Sequence, residues 1–205
     1  GFKLLILADN IVLDDEFEKR LKDFVNKGGK ILASGKSAVS DGKFCFDFGS
    51  EYTGESEYKP SYIRPLIDNK NESDFIMYTA CQKIKATDGK VLAEAVVPYF
   101  NRTAEHFCSH QHTPNSCEYG GAGMTEGKDG IYIAWNIFAD YAQSGELHLK
   151  QMAIFALDRL LDSAKTLKTN LPAQGIVTLM KQSDRLICHL LYASPVKRGN
   201  GIEVI

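Results

Sequence analysis

The sequence lacks several features that would place it in a class of protein at once. Its five cysteines are an odd number with no CxxC pair and no regular spacing, which favours a reducing, cytoplasmic compartment over a disulfide framework. No apolar run approaches the roughly 18–20 residues that span a bilayer. The net charge is only -2, whereas a dedicated nucleic-acid binder needs clustered Lys and Arg. We therefore expect neither a membrane nor a nucleic acid as partner.

What is present is an ordinary globular composition, with 44% hydrophobic and 24% charged residues, enough for a real core. The N-terminal stretch predicts a strand over Leu4 to Ala8, a helix beginning at Asp14, and a second strand over Lys30 to Ser34. Gly28 and Gly29 end the helix. Strand, helix and strand within about 30 residues form a βαβ unit.

The middle of the chain reads as loops over residues 35–62, followed by predicted strands and one helix. The strands cover Asp74 to Cys81, Val91 to Phe100 and Gly130 to Ile137, and the helix covers Leu147 to Leu161. After residue 168 the composition changes. Residues 169–172 read as a linker, and two alternating segments, Gly175 to Met180 and Arg185 to Tyr192, predict a β-hairpin.

Several phrases of the sequence resemble a known module. "LLILADNIVLDDEFEKRLKDFVNKGGKILASG" (residues 4–35) resembles the class I glutamine-amidotransferase-like fold, and more closely the trimerisation domain of family 42 beta-galactosidases and related multidomain glycosidases. "PSYIRP" (60–65), "PYFNRTAEHFCSHQHTP" (98–114) and "GIYIAWNIFADYAQSG" (130–145) resemble the version found in bacterial alpha-L-fucosidase-like glycosidases. "TNLPAQGIVTLMKQSDRLICHLLYAS" (169–194) is similar to the junction with their C-terminal β-domain.

The resemblance implies a fold, a division into domains and a set of partners. The fold is a flavodoxin-like, three-layer α/β domain over residues 1–168 that lacks its first strand and helix. Residues 169–205 are a linker and the first strands of a small C-terminal β-sandwich domain. The partners are an upstream catalytic TIM barrel, neighbouring subunits in a homo-oligomer such as a trimer, and a carbohydrate.

The residues themselves do not predict a catalytic centre or a cofactor. An active amidotransferase-like domain needs a cysteine nucleophile on a tight turn between a strand and a helix. The corresponding turn, residues 33–37, reads Ala-Ser-Gly-Lys-Ser, with Ser34 and Ser37 but no cysteine. The GxSxG pattern of a serine nucleophile is also missing. We therefore assign no catalytic residue and interpret the segment as a turn of small residues.

Two stretches are candidates for binding a carbohydrate. Tyr52 and Tyr58 stand among acidic residues in a predicted loop, and aromatic rings beside carboxylates can stack on sugars. The second stretch, HFCSHQHTPNSC, runs from 106 to 117. We expect it to be a loop after the Val91–Phe100 strand, with His106, His110 and His112 lining a shared sugar pocket or a subunit interface.

Alternatives remain open at the histidine stretch. His106, Cys108, His110 and His112 alternate along the chain, so on an extended strand all four would face one side and could hold zinc. A stand-alone hydrolase or metal-binding domain would use this cluster. A carbohydrate-binding module would instead use Tyr52, Tyr58, Tyr62 and Trp135. The favoured interpretation is a non-catalytic domain of a glycoside hydrolase that assembles subunits and shapes the carbohydrate site.

Overall fold

The computed structural model describes residues 1–66, 73–192 and 195–203. It contradicts the predicted three-layer, flavodoxin-like or amidotransferase-like α/β fold. Strands hold 39% of the residues and helices 19%, and the main sheet curls into a half-barrel. A flavodoxin-like domain needs a parallel sheet with helices on both faces, whereas most strand pairs in this sheet are antiparallel.

The helices and strands are as follows. The helices are α1 (Asp15–Asn26), α2 (Ile137–Ser144) and α3 (Leu147–Leu161), and a short 3-10 turn covers Asp162–Ala164. The strands are β1 (Leu4–Leu7), β2 (Lys30–Ser34), β3 (Val39–Ser40), β4 (Lys43–Phe44), β5 (Ser50–Glu55), β6 (Ser61–Pro65), β7 (Phe75–Met77), β8 (Gln82–Ala86), β9 (Lys90–Pro98), β10 (Asn115–Glu126), β11 (Gly130–Ile133), β12 (Ile176–Gln182), β13 (Arg185–Leu191), β14 (Val196–Arg198) and β15 (Gly201–Glu203).

The predicted βαβ unit is confirmed at the N-terminus. β1 pairs in parallel with β2, and α1 connects them. Asp14 caps the helix, because its carboxylate accepts the backbone N–H of Phe17 at 2.7 Å. Leu21 is the buried residue of the helix. β11 then pairs in parallel with the other side of β2, which gives a patch of three parallel strands.

The strands of the main sheet outside the parallel patch pair in antiparallel fashion, which explains why the predicted fold class was wrong. Residues 35–62 read as loops because they are rich in Gly, Ser and aromatics, yet they contain β3, β4, β5 and the start of β6. β5 alternates between half-buried and exposed side chains, the period of a strand with one solvated face. Most connections between the strands that follow are short, and short connections join antiparallel neighbours rather than parallel ones.

The curl of the sheet centres on the long strand β10. The main path runs β1-β2-β11-β10-β9-β6-β7, and β8 and β5 branch from β10. The pairing of β10 with β9 shifts register four times between Asn115 and Thr125. Each shift adds twist and bends the strand. Because it bends, β10 pairs with two different strands along one edge. It pairs with β8 at Ala122 and with β11 from Met124 to Glu126.

The core lies where the parallel patch meets α3. The helix occupies the predicted residues, and Leu149, Met152 and Ala156 form its buried side. β11 is buried along its whole length, and Trp135 just after it is fully buried. The predicted strand to Ile137 therefore ends four residues early, where the chain turns into α2.

The C-terminal part forms separate two-stranded sheets. The predicted hairpin is confirmed as β12 paired with β13, and β14 pairs with β15. Exposed apolar side chains stand on both faces of the first hairpin, including Met180 and Leu190. Cys188 stands in an apolar stretch of the sequence, yet it is exposed. Within the described residues, no helix is long and apolar enough to cross a membrane.

Candidate functional site

Two regions gather polar side chains: the carboxyl ends of the three parallel strands, and the loop of residues 99–114 between β9 and β10. At the parallel edge, Asp9 is only 7% exposed. Its carboxylate accepts the Ser34 hydroxyl at 2.8 Å and the N–H groups of Phe138 and Ala139 at 3.4 and 2.7 Å. Asp9 therefore caps the N-terminus of α2 from a strand far away in the sequence.

A second buried carboxylate, Asp140, lies on α2 itself. One of its oxygens accepts the N–H of Tyr78 at 3.2 Å and both the N–H and the hydroxyl of Thr79 at 3.2 and 3.3 Å. Burial raises the pKa of the Asp140 carboxyl, the bonds from Thr79 and Tyr78 oppose the rise, and the charge of Asp9 adds to it. The two aspartates fix α2 between β1 and the end of β7.

The turn after β2 shows no sign of a nucleophile. The hydroxyl oxygens of Ser34 and Ser37 accept the backbone N–H groups of Asp9 and Ile11 at 2.8 and 2.9 Å, and both serines are completely buried. The N–H of Lys36 donates to the Asp9 carbonyl at 2.6 Å. The polar groups at this edge are used to close the turn.

The loop of residues 99–114 presents the histidines differently. It contains bends rather than a strand before β10 begins at Asn115, as the sequence predicts. Its start is tethered by Asn101, which donates to the Glu57 carbonyl at 2.6 Å and accepts the Lys59 N–H at 3.1 Å. The backbone on both sides of Tyr58 is thus bound to the loop that carries the histidines.

The three histidines of the loop occupy distinct environments. The His106 ring stacks on Phe100, with centroids 3.8 Å apart, and its residue is exposed. His110 is exposed, and none of the described contacts involves its ring. His112 is half-buried and stands at the edges of two tyrosines, with ring centroids 6.5 Å from Tyr62 and 5.9 Å from Tyr78. Its Nδ1 lies 3.4 Å from the Tyr78 hydroxyl.

The geometric premise of the zinc alternative fails here, because alternate residues share a face only on a continuous strand. The Cys108 thiol instead lies near the backbone carbonyls of His110 and His112, at 3.8 and 3.5 Å. Across residues 1–66, 73–192 and 195–203, no group of three His, Cys, Asp or Glu side chains is placed to hold a metal ion.

The two tyrosines proposed beside the acidic loop have different surroundings in the fold. Tyr52 lies in β5, and its hydroxyl donates to the Gln82 side chain at 3.0 Å. Two of the acidic side chains nearby form ion pairs, Glu55 with Lys36 at 2.8 Å and Glu57 with Lys83 at 2.5 Å. Tyr58 lies between Glu57 and Lys59, whose backbone groups bind Asn101 of the histidine loop.

The aromatic residues named for a carbohydrate-binding module are not all at the surface. Trp135 is fully buried, and its indole N–H donates to the Ser61 hydroxyl at 2.9 Å. Tyr62 is 7% exposed, and its hydroxyl donates to the Thr113 carbonyl at 2.6 Å. Neither ring has a free face on which a sugar could stack.

Sequence reasoning missed the exposed aromatics near the histidines. Tyr99, Phe107 and Tyr119 are 68%, 66% and 62% exposed. Tyr78, which reaches His112, was also missed, because it lies within the predicted strand from Asp74 to Cys81. A usable signal was the alternation of aromatic with polar residues around His106, since large rings in a polar stretch have no core position to fill.

The comparisons with known proteins show that the chain is similar to parts of glycoside hydrolases. No protein-family model matches it, and no curated protein matches it. Among solved structures, it is similar to alpha-L-fucosidase isoenzyme 2 from Paenibacillus thiaminolyticus, with 48% identity and a TM-score of 0.91 over 99% of this chain and 32% of that one. The chain therefore spans about a third of the length of that fucosidase.

Two beta-galactosidases share the fold at lower identity. The enzyme from Bacillus circulans sp. alkalophilus is 17% identical, with a TM-score of 0.60 over 93% of this chain and 27% of that one. The cold-adapted enzyme from Rahnella sp. R3 is 13% identical, with a TM-score of 0.61 over 96% of this chain and 28% of that one. The chain thus has a fold related to that of a part of glycoside hydrolases.

Proposed function

We propose that this chain is a non-catalytic domain of a glycoside hydrolase that assembles subunits and helps to shape a carbohydrate pocket. The observation that carries the proposal is the loop of residues 99–114. It offers three histidines, one of them held between two tyrosines, on a surface with exposed aromatic rings. The parallel-strand edge, by contrast, has its polar groups occupied within the fold.

The partners in this proposal are an upstream catalytic barrel and neighbouring subunits, in a homo-oligomer such as a trimer. Large exposed aromatics are enriched where proteins meet partners, and Tyr99, Phe107 and Tyr119 fit such a surface. The proposed pocket residues are His106, His110, His112 and Tyr58. Tyr52 is a weaker member, because its hydroxyl already donates to Gln82.

The sequence identity to the solved enzymes supports a proposal for the substrate class. The similarity to the fucosidase, at 48% identity, is far higher than to the two galactosidases, at 17% and 13%. An α-L-fucoside is therefore the proposed substrate, ahead of a β-galactoside.

The proposed division places the domain at residues 1–168 and a linker and β-domain at 169–205. Supporting this division, β12 to β15 share no sheet with the other strands that the structure describes.

The assembly role is tested by measuring the molecular mass of the intact protein with and without residues 1–168. Analytical ultracentrifugation should show an oligomer for the intact protein and a monomer for the shortened one. An oligomer of the same subunit number after removal would refute the role in assembly. A parallel measurement on this chain alone should show self-association that depends on concentration.

A further inference from the structure

One face of strand β6 holds the C-terminal end of the histidine loop at two points. Alternate residues of a strand point to the same side, which places Tyr62 and Arg64 together, while Ile63 between them is completely buried. Tyr62 reaches Thr113, and Arg64 reaches Asn115 through an aspartate. The two contacts lie on either side of Pro114.

The first contact is a buried hydrogen bond. The Tyr62 hydroxyl donates to the Thr113 carbonyl at 2.6 Å, and Thr113 is only 1% exposed. Burial raises the pKa of the Tyr62 hydroxyl, so the group stays protonated and can donate. A hydrogen bond shielded from water in this way costs free energy to break, because its acceptor is left without a partner.

The second contact is a network of charged and amide groups. The Arg64 guanidinium binds both carboxylate oxygens of Asp74, at 2.8 and 2.9 Å. One of these oxygens also accepts the Asn115 amide at 2.8 Å. The Asn115 side-chain oxygen in turn accepts the Cys117 N–H at 2.6 Å. The planar fork of Arg64 fixes Asp74 in one orientation, and Asp74 fixes the residue at which β10 begins.

We infer that Tyr62 and Arg64 are positioning residues, a two-point clamp that sets where His112 stands. His112 directly precedes Thr113, and its ring meets the edge of the same Tyr62 ring at 6.5 Å. The N-terminal half of the loop is bound elsewhere, by Asn101 to residues 57–59. The clamp thus acts on His112, whereas His106 is held by its stack on Phe100 and His110 is exposed. The functional importance of the clamp rests on the proposed function, whereas its existence does not.

The clamp itself is tested on the intact protein without any ligand. Tyr62→Phe removes the hydroxyl and keeps the ring, and Arg64→Lys keeps the charge and removes the fork. We expect amide hydrogen exchange in residues 108–113 to rise about two- to tenfold in each variant, with exchange in β2 and β11 unchanged. In Tyr62→Phe, the NMR resonance of the His112 C2 proton should shift, which a general loss of stability would not produce.

Matched controls are Tyr192→Phe and Arg185→Lys, which lie on the exposed hairpin and should leave loop exchange unchanged. Unchanged loop exchange in both test variants would overturn the clamp.

Hydrolysis of 4-nitrophenyl α-L-fucopyranoside distinguishes a failure of the clamp from a failure of the proposed carbohydrate pocket. If kcat/KM falls for His112→Ala but not for Tyr62→Phe, the clamp is wrong as a positioning device. If His112→Ala has no effect while loop exchange still rises in Tyr62→Phe, the pocket proposal fails and the clamp stands.

Discussion

The parallel-strand edge and the histidine loop both gather polar side chains, but they differ in how exposed those side chains are. At the edge, Asp9, Ser34 and Ser37 are buried, and their side chains bond to backbone groups of other segments. In the loop, His106 and His110 are exposed. A polar cluster at the carboxyl end of parallel strands is a usual place for a binding site. In this chain the polar groups at that edge stabilise the fold, whereas the histidine loop keeps exposed side chains that can contact a ligand.

The largest loss of stability is expected when a methyl group is added at Gly130, in the patch of parallel strands. A Cβ on Gly130 would stand 1.8 Å from the Ile31 carbonyl oxygen, and this backbone atom cannot move without opening the pairing of β2 with β11. We expect Gly130→Ala to lower the free energy of unfolding by about 3 kcal/mol, measured by urea denaturation. Gly201→Ala is the control, since its Cβ would meet nothing closer than 3.6 Å. Equal stability of the two variants would contradict this packing.

A slightly smaller effect is expected at Asp9. Asp9→Ala removes the cap of α2 and leaves the Ser34 hydroxyl and the Ala139 N–H without their acceptor. Loss of such a buried charged acceptor should cost about 2–3 kcal/mol in urea denaturation. Asp15→Ala, on the exposed side of α1, should cost under about 0.5 kcal/mol. A loss at Asp9 as small as that at Asp15 would mean that the edge is not held by this carboxylate.

The pH dependence of the free energy of unfolding gives a further test, at His148 on α3. Burial lowers the pKa of the His148 ring from its ordinary 6.5, and the ring stacks on Phe75 with centroids 4.5 Å apart. The unfolded state therefore binds more protons, so the stability from neutral His148 is complete above pH 6.5 and is lost as the pH falls below it. His148→Phe keeps an aromatic stack but cannot titrate.

We expect the difference in unfolding free energy between pH 7 and pH 5 to be smaller in His148→Phe than in the parent. The opposing group is Asp140, whose raised pKa favours the folded state at lower pH. Both proteins retain Asp140, so the comparison isolates the histidine. Identical pH profiles would show that His148 does not titrate differently on folding.

The smallest effect on stability is expected in the loop. His106 is exposed and stacks on Phe100, so His106→Ala should change the unfolding free energy by less than about 0.5 kcal/mol. A loss comparable to that at Asp9 would mean that the loop is as much a part of the structural framework as the edge is, and the contrast between the two regions would disappear.

The same contrast shows how far the sequence could predict this molecule. Apolar periodicity predicted β1, α1, β2 and α3, because each has a continuous core-facing pattern. It failed over residues 35–62, where short strands of alternating polar and aromatic residues resemble loops. The fold class was wrong because the resemblance implied a flavodoxin-like domain for residues 1–168, whereas the βαβ unit is only a small part of a mostly antiparallel sheet. Nothing local reveals that β10 bends to pair with three other strands.

For the site, the sequence predicted the loop after β9 but not the arrangement within it. His106, His110 and His112 look equivalent by spacing, and only the fold separates them. The contact of His112 with Tyr62 and Tyr78 spans 50 and 34 residues of sequence. Such a contact depends on how β6 and the end of β7 lie in the curled sheet, which local patterns do not contain.

The most direct test of the central proposal is the activity of the intact protein with His106, His110 and His112 all replaced by alanine. The substrate is 4-nitrophenyl α-L-fucopyranoside, and the oligomeric mass is measured alongside. We predict that kcat/KM falls about tenfold or more while the mass stays that of the parent. Unchanged kcat/KM in a correctly assembled variant would contradict the role of this loop in a carbohydrate pocket.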